Sequence, residues 1–491
     1  MLSRTLPEAL NFRRDQVPVQ GALAELRKES LDIYNRLHSI SEDIDFVNDI
    51  CAAYPHLPVL PNQRCGAWYV DPAIAREETA YFKSTDGHFG NWSFNLRRPN
   101  LHLLSIIACE GGMILVDSTR AGKKVPDALS KTVPIWCAVI NRAVRRKYSS
   151  PEKDDWDTQL YCSASAVSAQ EQAQIEARLD TWVDSLIDSA YILADLLQPL
   201  RPVWVTPSTS VLPDLSPGRN LPFYPIVCVS ASQQIHEGLQ RRSHGFAYIQ
   251  GSGDDHESWG MGLNPPLFWE NKDELLACDR PGLSALIRPI VARTRAPAQH
   301  DGWTVKPSPI SHIGGQILVG VVDDLPFPAP RSLPGSSVAL AYVLLTHRPW
   351  LASPQNGASE DILGLQMLEG KKDQIHFLQN VLPRSMAFIG TCLTKDMQIC
   401  VCCDTGKDAC VGVALAALQL FFDDSGKFAA TREQQAALSN TASKQSLQKR
   451  LQWIISSRPQ ANPSRVTLKR VNEYILTSPS FRRQRGVDCS T

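Results

Sequence analysis

No apolar run in this chain reaches the roughly 18 residues that a membrane-spanning helix needs, so no membrane association is expected. The polar N-terminus carries no signal-peptide pattern. Net charge is absent too: 50 Lys and Arg balance 50 Asp and Glu, which excludes a bulk polycation. No CxxC pair answers another at zinc-finger spacing, and no GxxxxGK[ST] loop is present, so neither structural zinc nor ordinary ATP hydrolysis is supported. Internal repeats are lacking. What is there is a 491-residue chain, 43% hydrophobic and 20% charged, long enough for two or three domains that each bury a core. Its thirteen cysteines, odd in number and irregularly spaced, predict free thiols in a reducing compartment, cytoplasmic or nuclear or both.

Charge is unevenly placed despite its balance. From Lys444 onward come Lys449, Arg450, Arg458, Arg465, Lys469, Arg470, Arg482, Arg483 and Arg485, against Glu473 and Asp488. A second cluster is Arg142, Arg145, Arg146 and Lys147. Such surfaces suit a phosphate backbone, and equally suit solvated helix faces. A helix is expected from about Leu23 to Ile40. A second, long and amphipathic, opens at the capping box Ser168–Glu171 and stops before Pro199. Strands are expected at Leu101 to Ala108, Met113 to Val116, Pro225 to Val229 and Gly245 to Gln250. The proline-rich run 322–336 reads as a linker between an N-terminal domain, 1–321, and a small α/β domain, 337–491.

In that last domain a strand-like run, Met397 to Cys402, leads into Cys403, Asp404, Thr405, Gly406, Lys407, Asp408, Ala409 and Cys410, and then into an apolar helix. This is the outline of a cysteine-phosphatase loop, whose backbone N–H groups and helix N-terminus converge on phosphate oxygens. The position six after Cys403, where hydrolysis requires an arginine, is Ala409. The loop is expected to hold a phosphate without cleaving it.

Three polar stretches in the N-terminal domain can carry chemistry. In Ser84 to His102, Arg97 and Arg98 suit phosphate, Asn91 and Trp92 suit a base or sugar, and Asp86 or His88 can act as acid or base. A turn satisfied by its own hydrogen bonds has the same composition. In Asp117 to Asp127, a strand runs into Ser118, Thr119, Arg120, Gly122, Lys123 and Lys124 before a helix opened by Pro126, which makes an anion site. In Gln250 to Trp259, flexible glycines flank Asp254, Asp255 and Glu257. These are hard oxygen ligands for magnesium, with either aspartate an alternative base. His236, His244, His347 and His376 are isolated and read as structural or surface residues. The run from Asp301 to Trp303 is a weak match to a mobile acid loop.

Long strings here resemble the fungal and plant initiator tRNA 2′-O-ribosylphosphate transferases: Asp86 to Leu104, Val116 to Trp136 and Tyr248 to Asp255. The loop Asp404–Asp408 and the segment Ala461–Arg465 resemble that family too, and the likeness spans roughly Phe12 to Arg483. It implies a mixed α/β N-terminal catalytic domain and a C-terminal α/β domain similar to dual-specificity phosphatases. It also implies a glycosyltransferase of the pentosyl class. Such an enzyme moves a phosphoribosyl group from phosphoribosyl pyrophosphate to the 2′-hydroxyl of a T-stem purine in initiator methionine tRNA. The added group would keep this tRNA out of elongation. The chain departs from the phosphatase pattern at Ala409 and at Cys402, which stands where a histidine is expected before the nucleophile. It also lacks the acidic pair and threonine-rich loop of ordinary phosphoribosyltransferases, so their residue roles do not carry across.

Within that frame Arg120, Lys123 and Lys124, assisted by Ser118 and Thr119, are expected to bind phosphate. Asp254 and Asp255 would hold Mg2+ or act as base, with Asp117 the other base candidate. The loop of Cys403, Asp404, Thr405, Gly406, Lys407 and Asp408 would seat a tRNA backbone phosphate or, as the competing reading, the donor's phosphate. A monomer without membrane attachment is expected. The alternatives are a catalytically inactive phosphatase-like protein that binds phosphorylated RNA or protein, and a cysteine phosphatase using Cys403.

Overall fold

The computed structural model describes residues 24, 26–63, 65–120, 122–235, 240–243, 245–294, 303–326, 328–348, 361–367 and 373–477. Leu23, His236, His244, Asp301 and the arginines at 482, 483 and 485 lie outside them. The chain forms two compact units. The first comprises 1–94, 103–183 and 194–296; the second comprises 95–102, 184–193 and 297–491.

The first unit opens with helix α1, Ile33–Ala53, capped by Asp32, whose carboxylate accepts the Asn35 N–H at 3.0 Å. Leu37, Ile40, Ile44, Val47 and Ile50 repeat every three or four residues and are buried, which is why this segment folds as an amphipathic helix. Its sheet has strands β1 (Val59–Pro61), β2 (Met113–Asp117), β3 (Leu200–Val205) and β4 (Tyr224–Ser230), in the order β1-β2-β4-β3 and all parallel. β2 and β4 are buried along their whole length, the pattern of a parallel sheet covered on both faces. A short antiparallel hairpin follows, β5 (Gln240–Arg241) and β6 (Ala247–Tyr248).

Three local expectations are corrected. Residues Leu103–Glu110 form a helix, α2, rather than a strand, with Leu103, Leu104 and Ile107 on its buried side. A short apolar run has no periodicity strong enough to separate the two. The long helix after Ser168 is two helices, α3 (Ala169–Glu176) and α4 (Leu179–Ile187), and the chain from 188 to 199 is not helical. There the Ser189 hydroxyl donates to the Leu186 carbonyl at 2.6 Å, competing with the helical ladder. Of the strand expected at Gly245 to Gln250, only Ala247–Tyr248 pairs.

The second unit holds strands β7 (Ser308–Pro309), β8 (Ile317–Val321), β9 (Leu340–Thr346), β10 (Ile362–Gln366) and β11 (Gln398–Cys403) in the order β10-β9-β11-β8-β7. All neighbours are parallel except the edge strand β7. Helix α5, Ala409–Phe421, leaves the end of β11, and α6 (Lys444–Ser457) and α7 (Arg465–Leu476) follow.

The proline-rich run 322–336 does not separate domains. β8, before it, pairs with β11 after it, and Leu325, Ala329 and Leu333 pack on a cluster of Leu318, Leu340, Tyr342, Leu344, Cys400 and Cys402. The Tyr342 hydroxyl fixes the run by donating to the Pro330 carbonyl at 2.6 Å. Proline's missing N–H suits a segment that covers a sheet face rather than joining the ladder. The division between units falls at Ala296/Pro297, and the expected stretch Ser84 to His102 is split, with Asn95–His102 in the second unit.

Candidate functional site

Parallel strands collect ligand-binding loops at their C-terminal ends, and of the three stretches singled out in the sequence, Asp117 to Asp127 follows such an end, that of β2. Asp117 ends β2 and is 3% exposed. Its carboxylate accepts Asn62 Nδ2 at 2.8 Å, Cys65 Sγ at 2.9 Å and the Ser118 N–H at 2.9 Å. Three donors on one buried carboxylate tie the start of the loop to the end of β1. That work positions the loop and occupies both carboxylate oxygens.

Arg120 joins two of the polar stretches. Its Nε donates to Asp254 Oδ2 at 2.9 Å and its guanidinium also pairs with Asp255. These carboxylates raise Arg120 above its usual pKa. Gly251 permits the approach: a Cβ there would lie 2.5 Å from the Thr119 carbonyl oxygen, and its φ is +70°. Arg36 from α1 braces the aspartate loop by donating to the Ser252 carbonyl at 3.0 Å. Lys124 is held through its backbone, its carbonyl accepting the Ser230 hydroxyl at 3.0 Å, while the Lys123 carbonyl accepts Gln250 Nε2 at 2.6 Å.

The first stretch meets the second through Asp127. Lys123 pairs with Asp127, Lys131 lies 3.0 Å from it, and His88 Nε2 lies 3.8 Å from it. Lys131 reaches on to Glu171 at 3.1 Å, and Glu171 accepts Trp92 Nε1 at 2.9 Å. Asp127, Lys131 and Glu171 were not expected as site residues. Asp127 and Lys131 lay inside strings singled out in the sequence but without a role, and Glu171 stood only in a capping box; its side chain serves this cluster instead while Ser168 alone caps α3. Asp86 is buried, and Asn91 sits exposed in the turn closed by its N–H to the His88 carbonyl at 2.9 Å.

Trp92 does not offer a stacking face. It is 4% exposed, with the Arg178 guanidinium 5.1 Å from its ring centroid, because burying the indole beside a cation is worth more than leaving it in water. Arg97 belongs to the second unit, where it donates to the Pro463 carbonyl. Arg98 lies in the same segment, its carbonyl accepting Asn100 Nδ2 at 3.2 Å.

Of the basic clusters, much is spent internally. Arg142 pairs with Glu176 and Asp180, and Arg146 with Asp180. Arg450 and Arg458 are 1% and 4% exposed, their guanidiniums donating to backbone carbonyls, so neither is a surface charge for RNA. The exposed end of a long side chain is invisible to a count of charges.

In the second unit the cysteine loop follows the centre of its sheet. Cys403 Sγ and Cys410 Sγ lie 3.0 Å apart. The hydrogen bond from Cys410, with backbone N–H groups of Cys410, Thr405 and Asp408, holds the Cys403 thiol down to about 5 against its burial. Burial pushes Cys410 well up, so Cys410 is the donor of the pair. Gly406, at φ +62°, leaves no room for a Cβ beside Arg458 and Val321. The segment expected at Ala461–Arg465 clamps the loop: Asn462 N–H donates to the Lys407 carbonyl at 2.9 Å and Ser464 N–H to Asp408 Oδ1 at 2.9 Å. His347, passed over in the sequence, lies 2.7 Å from Asp404 at the loop's rim. Lys407 is lowered by burial and by Arg458.

Cys403 is thus a thiolate at neutral pH, while Ala409 supplies no guanidinium. A small alkylating agent at about pH 6.5 is expected to label Cys403 but not Cys51 or Cys162, which burial pushes up to about 11 and about 12. Because the folded value is depressed, the thiolate's stabilisation is fully present above the unfolded value and is lost as pH falls through about 5. The stability difference from Cys403→Ser should therefore widen with rising pH; a constant difference would refute the assignment.

A recess of about 890 Å³ lined by Pro61, Val70, Pro265 and Trp269 shares no residue with these loops. Its rim of Asp71, Glu270, Asp273 and Glu274 opposes a phosphate ligand.

The first unit thus carries a basic loop, after a parallel strand, that meets paired carboxylates, and the second carries a phosphatase-type loop without its arginine. Residues 26–292 match the Rit1 N-terminal domain and residues 361–475 the Rit1 DUSP-like domain, and the chain belongs to the Rit1 family. It is 33% identical over 475 residues to an uncharacterized protein of Schizosaccharomyces pombe, covering 94% of this chain and 98% of that one. It is 31% identical over 491 residues to the tRNA A64-2′-O-ribosylphosphate transferase of Saccharomyces cerevisiae, covering 92% and 94%. The crystal structure of human DUSP28 matches 36% of this chain and 97% of its own at 16% identity and a TM-score of 0.24, which adds no weight.

Proposed function

We propose that this protein transfers a 5-phosphoribosyl group from phosphoribosyl pyrophosphate to the 2′-hydroxyl of a T-stem purine of initiator methionine tRNA, withholding that tRNA from elongation. The observation that carries the reading is similarity along nearly the whole chain to the yeast tRNA A64-2′-O-ribosylphosphate transferase. The loops of the first unit give it a chemistry. Arg120, Lys123 and Lys124, with the Ser118 and Thr119 hydroxyls, bind the donor's phosphates and stabilise charge that grows on departing pyrophosphate.

Asp254 and Asp255 fit magnesium, which takes hard oxygens and is held through one or two carboxylates plus substrate phosphates. Magnesium, when bound, would offset charge on the leaving group. Asp254 or Asp255 then takes the proton of the attacking hydroxyl, since Asp117 is committed to Asn62, Cys65 and Ser118. The cysteine loop seats a tRNA backbone phosphate, and duplex shape in the shallow groove guides the target hydroxyl.

The protein acts as a monomer in the cytoplasm, the nucleus or both; among the described residues no helix is long and apolar enough to cross a membrane. An inactive phosphatase-like binder would leave the Arg120–Asp254–Asp255 cluster without a task. Labelled ribosyl phosphate should pass from phosphoribosyl pyrophosphate to initiator tRNA, not to elongator methionine tRNA, and only with magnesium. Tight tRNA binding with no incorporation would overturn the proposal.

A further inference from the structure

Helix α1 carries a carboxyl where its packing face calls for hydrocarbon. Asp43 sits beside Ile44 on the buried stripe and is itself 3% exposed. Burying a carboxylate without a bound cation costs several kcal/mol on the order of magnitude known for such groups. Burial pushes Asp43 well above the usual carboxylate range, and hydrogen bonds from Ser232 and Tyr248 offset this only in part. The titratable and charged groups that face it are Glu42 on the same helix, Arg242 and Tyr248 from the hairpin region, and Tyr69. Such a group is out of place in a scaffold that packing alone would satisfy.

Its bonds lead to the anion loop. The Tyr248 hydroxyl accepts the Gln233 N–H at 2.9 Å, so its single proton goes to Asp43 Oδ1 at 2.5 Å. Asp43 Oδ2 lies 2.6 Å from Ser232 Oγ, which accepts the Gly251 N–H at 3.2 Å and lies 2.6 Å from Ser118 Oγ. The Tyr69 hydroxyl accepts the Gly253 N–H at 2.8 Å and is hydrogen-bonded to Ser118. Ser118, Ser232 and Tyr248 are all buried.

Each hydroxyl has one proton, so a chain of them points one way at a time. With Asp43 ionised, Ser232 donates to it, Ser118 donates to Ser232, and Ser118 turns only lone pairs toward a ligand. With Asp43 protonated, the carboxyl donates to Ser232, Ser232 and the Tyr69 hydroxyl both donate to Ser118, and the Ser118 proton becomes available.

We propose that Asp43 is a positioning residue: one proton taken from solvent onto Asp43 turns the Ser118 hydroxyl toward a phosphate on loop 117–124, so binding that phosphate takes up a proton. The inference rests on the reading of that loop as the donor's phosphate site. Linkage makes the effect reciprocal: the phosphate favours the protonated carboxyl, and the protonated carboxyl favours the phosphate. Affinity for phosphoribosyl pyrophosphate then falls as pH rises through the Asp43 pKa, approaching tenfold per pH unit.

The test is calorimetric binding of phosphoribosyl pyrophosphate to the full-length protein in buffers of differing ionisation enthalpy, across the pH range in which the protein stays folded. Titration of the donor's own phosphates is common to all variants and cancels in the comparison. In Asp43→Asn the amide oxygen still accepts from Tyr248 and the amide N–H donates to Ser232, which fixes the outward Ser118 orientation. This variant should take up about one proton fewer than the parent and lose the fall in affinity with rising pH. Ser118→Ala should weaken binding about tenfold where Asp43 is protonated and flatten the pH dependence. Should Asp43→Asn fail to fold, Ser232→Ala breaks the same chain and must likewise remove the extra proton. An unchanged proton count and pH slope in these variants, with Lys123→Ala weakening binding, would sink the Asp43 role alone. Donor affinity indifferent to Lys123→Ala would instead sink the reading of the loop, and this inference with it.

Discussion

Arg120→Ala is expected to lower kcat/KM for ribosyl phosphate transfer by about 10²–10³ while leaving the thermal unfolding temperature unchanged. The Arg120 side chain is 62% exposed and that of Asp255 53%, so their pair contributes only the ~0–1 kcal/mol measured for surface pairs, while the buried Asp254 keeps the Asp255 N–H on its Oδ1 at 3.1 Å. The expected loss of rate exceeds that structural weight, because Arg120 is a fixed cation at the point where the two loops meet. A preorganised donor aimed at developing charge is worth about 10²–10³ in rate. Removing it also takes the neutralising cation from two adjacent carboxylates, whose charge would then repel the donor's phosphates. Arg120→Lys separates the two contributions. It keeps the charge and loses the fork that spans both carboxylates, so recovery should be partial. Steady-state transfer kinetics beside a thermal melt decide the matter: a loss of rate that tracks a loss of stability would return Arg120 to the scaffold.

The sequence was most legible where one local pattern had one structural meaning. Apolar runs at Met113 to Val116 and Met397 to Cys402 become buried parallel strands, each ending in a loop of small, polar and basic residues. The cysteine loop and the segment Ala461–Arg465 meet through two backbone hydrogen bonds. Legibility failed where the outcome depended on a partner distant in the chain. Trp92 looked like a stacking platform until Arg178 covered it. Nothing near Asp43 announces that Ser232, 189 residues later, will accept or donate its proton. The run 322–336 has a linker's composition, and it is the strand pairing on either side of it that makes it a cover for the sheet.

Charge counting failed most plainly at Arg458, and the second large effect is expected there. Arg458 follows α6 and runs beneath the cysteine loop. Its Nε donates to the Gly406 carbonyl at 2.7 Å, and Nη1 to Ser308 Oγ at 3.1 Å and the Val319 carbonyl at 3.3 Å. These acceptors come from the loop, the edge strand and β8, so one guanidinium fastens the loop to two strands. Arg458→Ala leaves buried acceptors unpaired, at ~1–3 kcal/mol each, and opens a void behind Gly406. A total of about 3–5 kcal/mol is expected, a large share of the ~5–15 kcal/mol that holds a typical domain. The loss should be local. Amide hydrogen exchange in β11 and at the start of α5 should quicken by about 10²–10³, while amides of α1 keep their protection. Arg458→Lys is the decisive comparison, since an ammonium retains the charge but cannot reach three acceptors set at different angles. If lysine restores protection, Arg458 acts as a charge near the thiolate. If lysine is as damaging as alanine, it is the fork that shapes the loop, and the phosphate site depends on an arginine 55 residues after the cysteine in place of the one its own loop lacks.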